Sequence, residues 1–433
     1  MQGLQLPASM RTMQYAAYKR AQQYLEALPQ QVFAPRHQQP QLSLERTRRL
    51  LAQVGNPERR FTYVHVTGTS GKGTVSTMVY EMLRAAGKRV GLFTSPHVTT
   101  TLERIALNGQ LTSVADFLWA FTRLKPYVDK CLTQERMYVP SHFEVLLAMA
   151  MLIFQRRDVR WVVLEVGCGG EFDPTNIIPA PKIAVVTNIG LDHQHLLGRT
   201  KARIAWTKAG IFKRGSRGFS AEVHPRIRAV LMRRAKSAHV PLTFIRTSTH
   251  VLHQEANQQL AIAIGKALHV PVRAIVVGIR SARLAARIER VTRNTIIDGS
   301  HNFDKLTALA RAVRVLDYKH VHVIFGIGKK KDVAKSIRPL TTIANRWTLT
   351  KANVAYPVPM EPRHIAKTLR SIQPNANSAI QPNAERALTR ALRMQKPDEL
   401  LLITGSFYLA GQLRQHWIAE RAILKARTSF PHS

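Results

Sequence analysis

The stretch that most constrains this chain is Gly68-Thr69-Ser70-Gly71-Lys72-Gly73-Thr74. The apolar run Phe61–Val66 directly before it reads as a strand. Directly after it, Val75, Met78, Val79, Met82, Leu83 and Ala86 recur at helical spacing until Gly87. A second strand is predicted over Val90–Phe93. Strand, glycine-rich turn, helix and strand in that order open a parallel sheet. Three glycines let successive backbone N–H groups turn toward one anion, and the helix N-terminus adds its dipole. Gly68 to Thr74 is therefore a candidate ATP-phosphate loop, with Lys72 reaching the outer phosphates and the Thr74 hydroxyl ligating Mg²⁺. The spacing departs from the usual phosphate loop, because Gly73 separates the lysine from the threonine.

Two further buried strands are predicted, Trp161–Val166 and Ile183–Thr187, each ending on polar residues at the edge where open α/β sheets bind ligands. The first delivers Glu165, a hard oxygen ligand suited to Mg²⁺. The second runs into Asn188-Ile189-Gly190-Leu191-Asp192-His193-Gln194-His195, which lacks the spaced third and fourth ligands of a zinc site. His193, supported by Asp192, is read instead as a ligand of a second Mg²⁺. Lys208 lies in Ala205-Trp206-Thr207-Lys208-Ala209-Gly210. Small and apolar neighbours would lower its pKa and allow a carbamate, although a surface lysine with a buried stem satisfies the same pattern.

The α/β alternation restarts near residue 284. It gives strand Thr295–Ile297, a helix over 303–316, strand His320–Phe325, a helix over 332–345, another short strand, two helices and strand Leu400–Ile403. Two domains are expected, 1–282 and 283–433. Residues 14–55 carry helical spacing broken at Pro29, Pro35 and Pro40, and Val145–Phe154 reads as a core helix. Asp298-Gly299-Ser300-His301-Asn302 and Thr404-Gly405-Ser406-Phe407-Tyr408 follow predicted strands and fall on the ligand edge, where ordinary turn and capping chemistry is the competing reading.

Lys and Arg number 64 against 26 Asp and Glu, a net charge of +38. That field attracts polyanions, but the basic residues are spread along the chain without an aromatic stacking block or helicase-like motif, so nucleic acid is not expected as a partner. Two cysteines exclude a disulfide framework. No apolar run is long enough to span a bilayer and no secretory signal is evident, so a cytoplasmic protein is expected.

Taken in order, these segments resemble the folylpolyglutamate synthase and dihydrofolate synthase family, within the Mur ligase superfamily. The resemblance spans Gly68 to Gly411. It includes the phosphate loop, Thr94-Ser95-Pro96-His97 with Glu103-Arg104-Ile105, Ser141-His142-Phe143-Glu144, Glu165-Val166-Gly167 with Gly169-Gly170 and Asp173-Pro174-Thr175-Asn176, and Asn188 to His193. It continues through Lys208-Ala209-Gly210-Ile211, Asp298 to Asn302 and Gly405-Ser406-Phe407-Tyr408-Leu409. The Ser-Pro-His element and the double glycine point to the folate branch.

The resemblance implies a P-loop NTPase-like Mur ligase central domain with a mainly parallel sheet and a smaller C-terminal Rossmann-like α/β domain. It implies ATP-dependent addition of L-glutamate to a folate or dihydropteroate, by a monomer using two Mg²⁺. Lys72 and Thr74 would bind phosphate and metal, and Glu165 and His193 would be metal ligands. Lys208 would be a carbamylated lysine. Asn257 would contact adenine, while Arg287 and Asp298 would contact phosphate and ribose. Ser95 and His97 would bind substrate, and His301 and Ser406 would hold glutamate. A ligase acting on a cell-wall or other peptide precursor, and a nucleic-acid-binding P-loop NTPase, are the alternative readings. Two departures stand out. The family's Leu-Pro-Gly-Arg linker is Leu284-Ala285-Ala286-Arg287, and its Gly-Gly-Arg-Leu-Asp is Gly169-Gly170-Glu171-Phe172-Asp173. The stretch between Lys213 and His253 is also short for the family.

Overall fold

A computed structural model describes residues 8–29, 41–245, 253–355 and 357–431. The expected breaks at Pro35 and Pro40, and residues 246–252 of the shortened stretch, lie outside them. The chain forms two compact units. One contains residues up to Ser95 together with Thr101–Arg283; the other contains Pro96–Thr100 and Leu284 onward. The five-residue segment 96–100 thus belongs to the second unit, an assignment absent from the two-domain expectation.

The first unit is built on strands β1 Thr62–Thr67, β2 Val90–Phe93, β3 Ile105–Leu107, β4 Gln110–Leu111, β5 Trp161–Glu165, β6 Ile183–Val186, β7 Arg217–Ser220 and β8 Leu242–Phe244. Their order is β4-β3-β2-β5-β1-β6-β7-β8. Pairing is parallel from β2 to β8, and β3 runs antiparallel to both of its neighbours, β2 and β4. β1 sits between β5 and β6, in register Val66 to Glu165 and Thr67 to Val186, so the carboxyl ends of all three strands share one edge.

Strand periodicity explains the layers. Val64 and Val66 face the helix Lys72–Ala85, whose Val75, Met78, Val79, Met82 and Leu83 are buried against Val163 and Val185. On the opposite face Val166, Ala184 and Val186 pack on Ile204, Ile211 and Leu231. The predicted core helix is His142–Arg156. Ser141 and Glu144 form its capping box, and Glu144 is also buried against Arg46, with Nε 3.1 Å from Oε2. The Ser-His-Phe-Glu motif is therefore a helix start and a buried ion pair.

Among the described residues, His65, His142 and His322 are buried in the neutral form. Burial pushes His65 and His142 down to about 3 and His322 to about 4. Thr175 Oγ1 donates to Asp173 Oδ1, so the His65 Nε2–H donates to Thr175 Oγ1 at 2.9 Å. These groups titrate near 6.5 when unfolded. Because their folded values are depressed, their stability contribution is intact above 6.5 and is lost as pH falls below it. The loss is about 1.4 kcal/mol per pH unit per histidine. The first unit carries two of them, so its stability should drop by about 4 kcal/mol between pH 6.5 and 5. Urea midpoints at pH 7.5 and 5 measure this; equal midpoints would mean that these imidazoles are charged in the fold.

The second unit has strands β9 Glu289–Thr292, β10 Thr295–Ile297, β11 His320–Phe325, β12 Arg346–Lys351, β13 Ser378–Asn383 and β14 Glu399–Thr404, ordered β13-β12-β11-β14-β10-β9. All pair in parallel except β9 with β10. The helix expected over 303–316 is Phe303–Arg314, capped by Asn302. The helix expected over 332–345 is instead a short helix Val333–Ile337 and a separate 3₁₀ turn Leu340–Thr342. Pro339 stands between them and cannot supply the amide that a continuous helix needs.

Candidate active site

The carboxyl ends of β1, β5 and β6 build the first part of the site. Between β1 and its helix, Gly68 and Gly71 adopt φ +152° and +80°. A Cβ on Gly68 would fall 1.8 Å from Thr187 Oγ1, and one on Gly71 would fall 2.3 Å from Asn257 Oδ1. The segment after β6 braces the loop. Thr187 Oγ1 donates to Ser70 O at 2.6 Å, Ser70 N–H donates to Asn188 Oδ1 at 2.9 Å, and Thr69 N–H donates to Asn188 O at 2.9 Å. Gly190 N–H donates to Thr69 Oγ1 at 2.9 Å. The Thr69 and Ser70 amides are therefore held by protein, and the anion-directed amides are those of Gly71 to Thr74, which by helix geometry lack partners inside the first turn.

Two lysines point at one carbonyl. Lys72 Nζ lies 3.3 Å and Lys208 Nζ 2.9 Å from Gly68 O. Lys208 is buried; burial pushes its amine down to about 8, and the charge of Lys72 adds to the effect. The loop after β5 fixes the helix that carries it. Glu171 N–H donates to Thr207 O at 2.9 Å, and a Cβ on Gly170 would strike Lys208 O at 2.5 Å. Glu171, where the family carries a basic residue, pairs with Arg234 at 2.6 Å, and that guanidinium lies 4.7 Å from the Trp206 ring. Asp173 Oδ2 accepts the Cys168 N–H at 2.8 Å.

Glu165 is buried, with Oε2 accepting the Ser95 N–H at 3.1 Å. His193 occupies the N-cap position of the short helix Gln194–Leu197 at φ +50°, with Nε2 4.0 Å from Asp192 Oδ2 and a partly exposed ring. Among the described residues no three His, Cys, Asp or Glu side chains converge as a metal cage. Thr74 carries a hydroxyl, Glu165 a buried carboxylate and His193 an imidazole, donors that could serve a Mg²⁺ that keeps waters and binds through substrate phosphates.

The second unit holds the remaining expected residues. Asp298 is buried, accepting the Ile288 N–H at 2.9 Å and the Ser300 N–H at 2.7 Å. Arg287 stacks its guanidinium 4.4 Å from the Phe407 ring. His301 Nδ1 donates to Gly299 O at 2.9 Å, which leaves Nε2 as the ring acceptor. Ser406 caps the helix Phe407–Arg414 by accepting the Tyr408 N–H. His97 lies in segment 96–100 of this unit, while Ser95 lies in the first.

Arg287 is flanked by two left-handed non-glycine residues, Ala286 at φ +51° and Ile288 at φ +48°. Ile288 is exposed and β-branched, so its strain is not offset by burial. Ile288→Asn should raise the stability of the second unit by about 1 kcal/mol, seen as a thermal midpoint a few degrees higher. A lower midpoint would show that the isoleucine side chain contributes more than the strain costs.

Sequence reading missed the bracing by Thr187, the hydrogen bonds of Asp173, and Arg414 with Glu289. Asp173-Pro174 carried a legible capping signature; Arg414 carried none.

Residues 66–261 match the Mur ligase middle domain, and residues 286–407 match the Mur ligase glutamate ligase domain. The chain is 30% identical to dihydrofolate synthase/folylpolyglutamate synthase of Bacillus subtilis over 412 residues, 86% of this chain and 94% of that protein. It is also 30% identical to folylpolyglutamate synthase of Lacticaseibacillus casei over 407 residues, 84% of this chain and 92% of that one. Mycobacterium tuberculosis folylpolyglutamate synthase complexed with ADP matches with a TM-score of 0.84 at 25% identity, over 94% of this chain and 99% of that one. E. coli FolC in complex with DHPP and ADP matches with a TM-score of 0.79 at 25% identity, over 93% and 98%.

Proposed function

The chain belongs to the folylpolyglutamate synthase/dihydrofolate synthase family of Mur ligases, and from that premise we propose that it joins the amino group of L-glutamate to the carboxylate of a folate with ATP. The observation that carries this reading is the braced loop with Lys72 and Lys208 on one carbonyl beside buried Glu165, in a chain aligned with 94% of a folate ligase. A cell-wall acceptor and a nucleic-acid-driven NTPase are not favoured, because the relatives matched along the chain are folate enzymes.

A carboxylate is a poor electrophile, and its oxygen is a poor leaving group. The substrate carboxylate oxygen attacks the γ-phosphorus of ATP, the bond to ADP breaks, and an acyl phosphate forms. Lys72 and the amides of Gly71 to Thr74 take up the charge on the transferring phosphoryl group. Mg²⁺, held by Thr74, Glu165 and His193, would neutralise phosphate charge when bound. Asn257, beside Gly71, would contact adenine; Arg287 and Asp298 would contact phosphate and ribose. In the second step the glutamate amine attacks the acyl carbon and inorganic phosphate leaves. Ser406 and His301 hold glutamate, and the acceptor Nε2 of His301 is suited to its ammonium proton. Ser95 and His97 would contact the acceptor substrate. Lys208 as a carbamate would add an oxygen ligand, and two Mg²⁺ then complete the set. The protein acts as a cytoplasmic monomer on this reading.

The test is product mass after incubation with ATP, Mg²⁺ and glutamate, with dihydropteroate in one tube and tetrahydrofolate in another. Glutamate added to tetrahydrofolate establishes the polyglutamate synthase, and an adduct on dihydropteroate establishes the dihydrofolate synthase role. No adduct in either tube overturns the assignment.

A further inference from the structure

Arg414 is fully buried at the end of the helix Phe407–Arg414. A guanidinium out of water needs its charge matched and its N–H groups satisfied. Glu289 meets it with both oxygens. Nε lies 3.0 Å from Oε1 and 2.9 Å from Oε2, and Nη2 lies 2.8 Å from Oε1. Nη1 donates to Thr99 Oγ1 at 3.0 Å, and Nη2 also donates to the Ser429 carbonyl. Three separate pieces of chain therefore meet on one side chain.

Two of those pieces carry residues assigned above to substrates. His97 stands two positions before Thr99. Segment 96–100 lies so close to the helix of Arg414 that a Cβ on Gly411 would come within 1.8 Å of Val98 O. On the other side, Glu289 Oε2 accepts the Ala286 N–H at 2.7 Å, while Asp298 accepts the Ile288 N–H at 2.9 Å. The residue between those two amides is Arg287, so its backbone is pinned at both ends by carboxylates, and Arg414 holds one of them.

We propose that Arg414 is a positioning residue for ligation, setting His97 through Thr99 and Arg287 through Glu289. The proposal rests on the reading of the chain as a folate ligase in which His97 serves the acceptor and Arg287 the nucleotide. Loss of the whole guanidinium would strand a buried carboxylate and endanger folding, so the two arms are cut separately. Thr99→Val removes the hydroxyl that accepts from Arg414 and leaves the Glu289 arm in place. Glu289→Asp keeps the charge pair but is one methylene too short to serve both Arg414 and the Ala286 amide.

Steady-state kinetics on folded variants reads the result. Thr99→Val should raise KM for tetrahydrofolate about 5- to 20-fold and leave KM for ATP within about twofold. Glu289→Asp should do the reverse, and Arg414→Lys should raise both. KM for glutamate, served by His301 and Ser406, should stay within about twofold in all three. A merely structural role would move all three KM values together or none of them, and either pattern overturns the proposal. If the parent protein makes no glutamate adduct, the folate reading fails by itself. Binding of a non-hydrolysable ATP analogue then still decides, since weakening by Glu289→Asp but not by Thr99→Val supports the nucleotide arm and equal weakening refutes it.

Discussion

Lys72→Ala abolishes measurable ligation: kcat falls on the order of 10³-fold, while the thermal midpoint barely moves. The small stability effect follows from position. Lys72 is half-buried at the first turn of its helix, and its side chain makes a long 3.3 Å hydrogen bond to Gly68 O. The large catalytic effect follows from what remains without it. Bracing by Asn188 occupies two loop amides, which leaves the helix N-terminus and this ammonium to meet the phosphoryl charge. Lys72→Arg separates charge from geometry, because a planar guanidinium does not fit where an ammonium approaches a point charge; activity should stay low. The measurement is ADP release in the presence of acceptor and glutamate, with circular dichroism confirming the fold. Parental activity in the alanine variant would remove the loop from the mechanism.

Lys208→Ala has two separable effects. Lys208 Nζ is buried and donates to Gly68 O at 2.9 Å. Its truncation takes a donor from the first carbonyl of the phosphate loop and leaves a void beside Gly68, so stability falls by about 1–3 kcal/mol. Activity falls on the order of 10²- to 10³-fold. If the working form is the carbamate, acetate or formate restores part of the turnover by supplying the missing carboxylate oxygens, and leaves the melting temperature where the mutation put it. An unmodified lysine by intact mass, together with no response to acetate or formate, discards the carbamate and leaves Lys208 as a support for the loop.

Local pattern and distant packing divide what the sequence disclosed. β1, its loop and its helix were legible because the period of apolar residues changes from two to 3.6 across a glycine-rich turn. β5 and β6 were legible as short continuous apolar runs, which is how strands covered on both faces read. The edge strands were not. β13 reads Ser-Ala-Ile-Gln-Pro-Asn and β8 is three residues long and only partly buried, so neither carries a burial signal. Glu165, Asp298 and Lys208 could be singled out because each follows a strand or stands among small residues. Their settings could not be read, since Gly68 O meets Lys208 from 140 positions away and Glu165 accepts from Ser95 70 positions earlier. The Glu171–Arg234 pair is of the same kind: the loss of a basic residue was visible at 171, and the arginine that answers it lies 63 positions later. Arg414 carries no signal in the sequence, and its burial beside Glu289 comes from packing between segments 125 positions apart.

Membership of residues 96–100 in the second unit has a consequence for biosynthesis. On the ribosome, Thr99 emerges 315 residues before Arg414. At about 5–20 residues per second that is a wait of about 15–60 s. Throughout that interval the nascent first unit must keep a short segment undocked, and the second unit cannot complete its packing until the helix Phe407–Arg414 emerges. A gene fragment beginning at residue 284 would encode a protein lacking the piece that Gly411 was shaped to receive. Supplied as a separate peptide, residues 96–100 would have to overcome the association entropy that the continuous chain avoids.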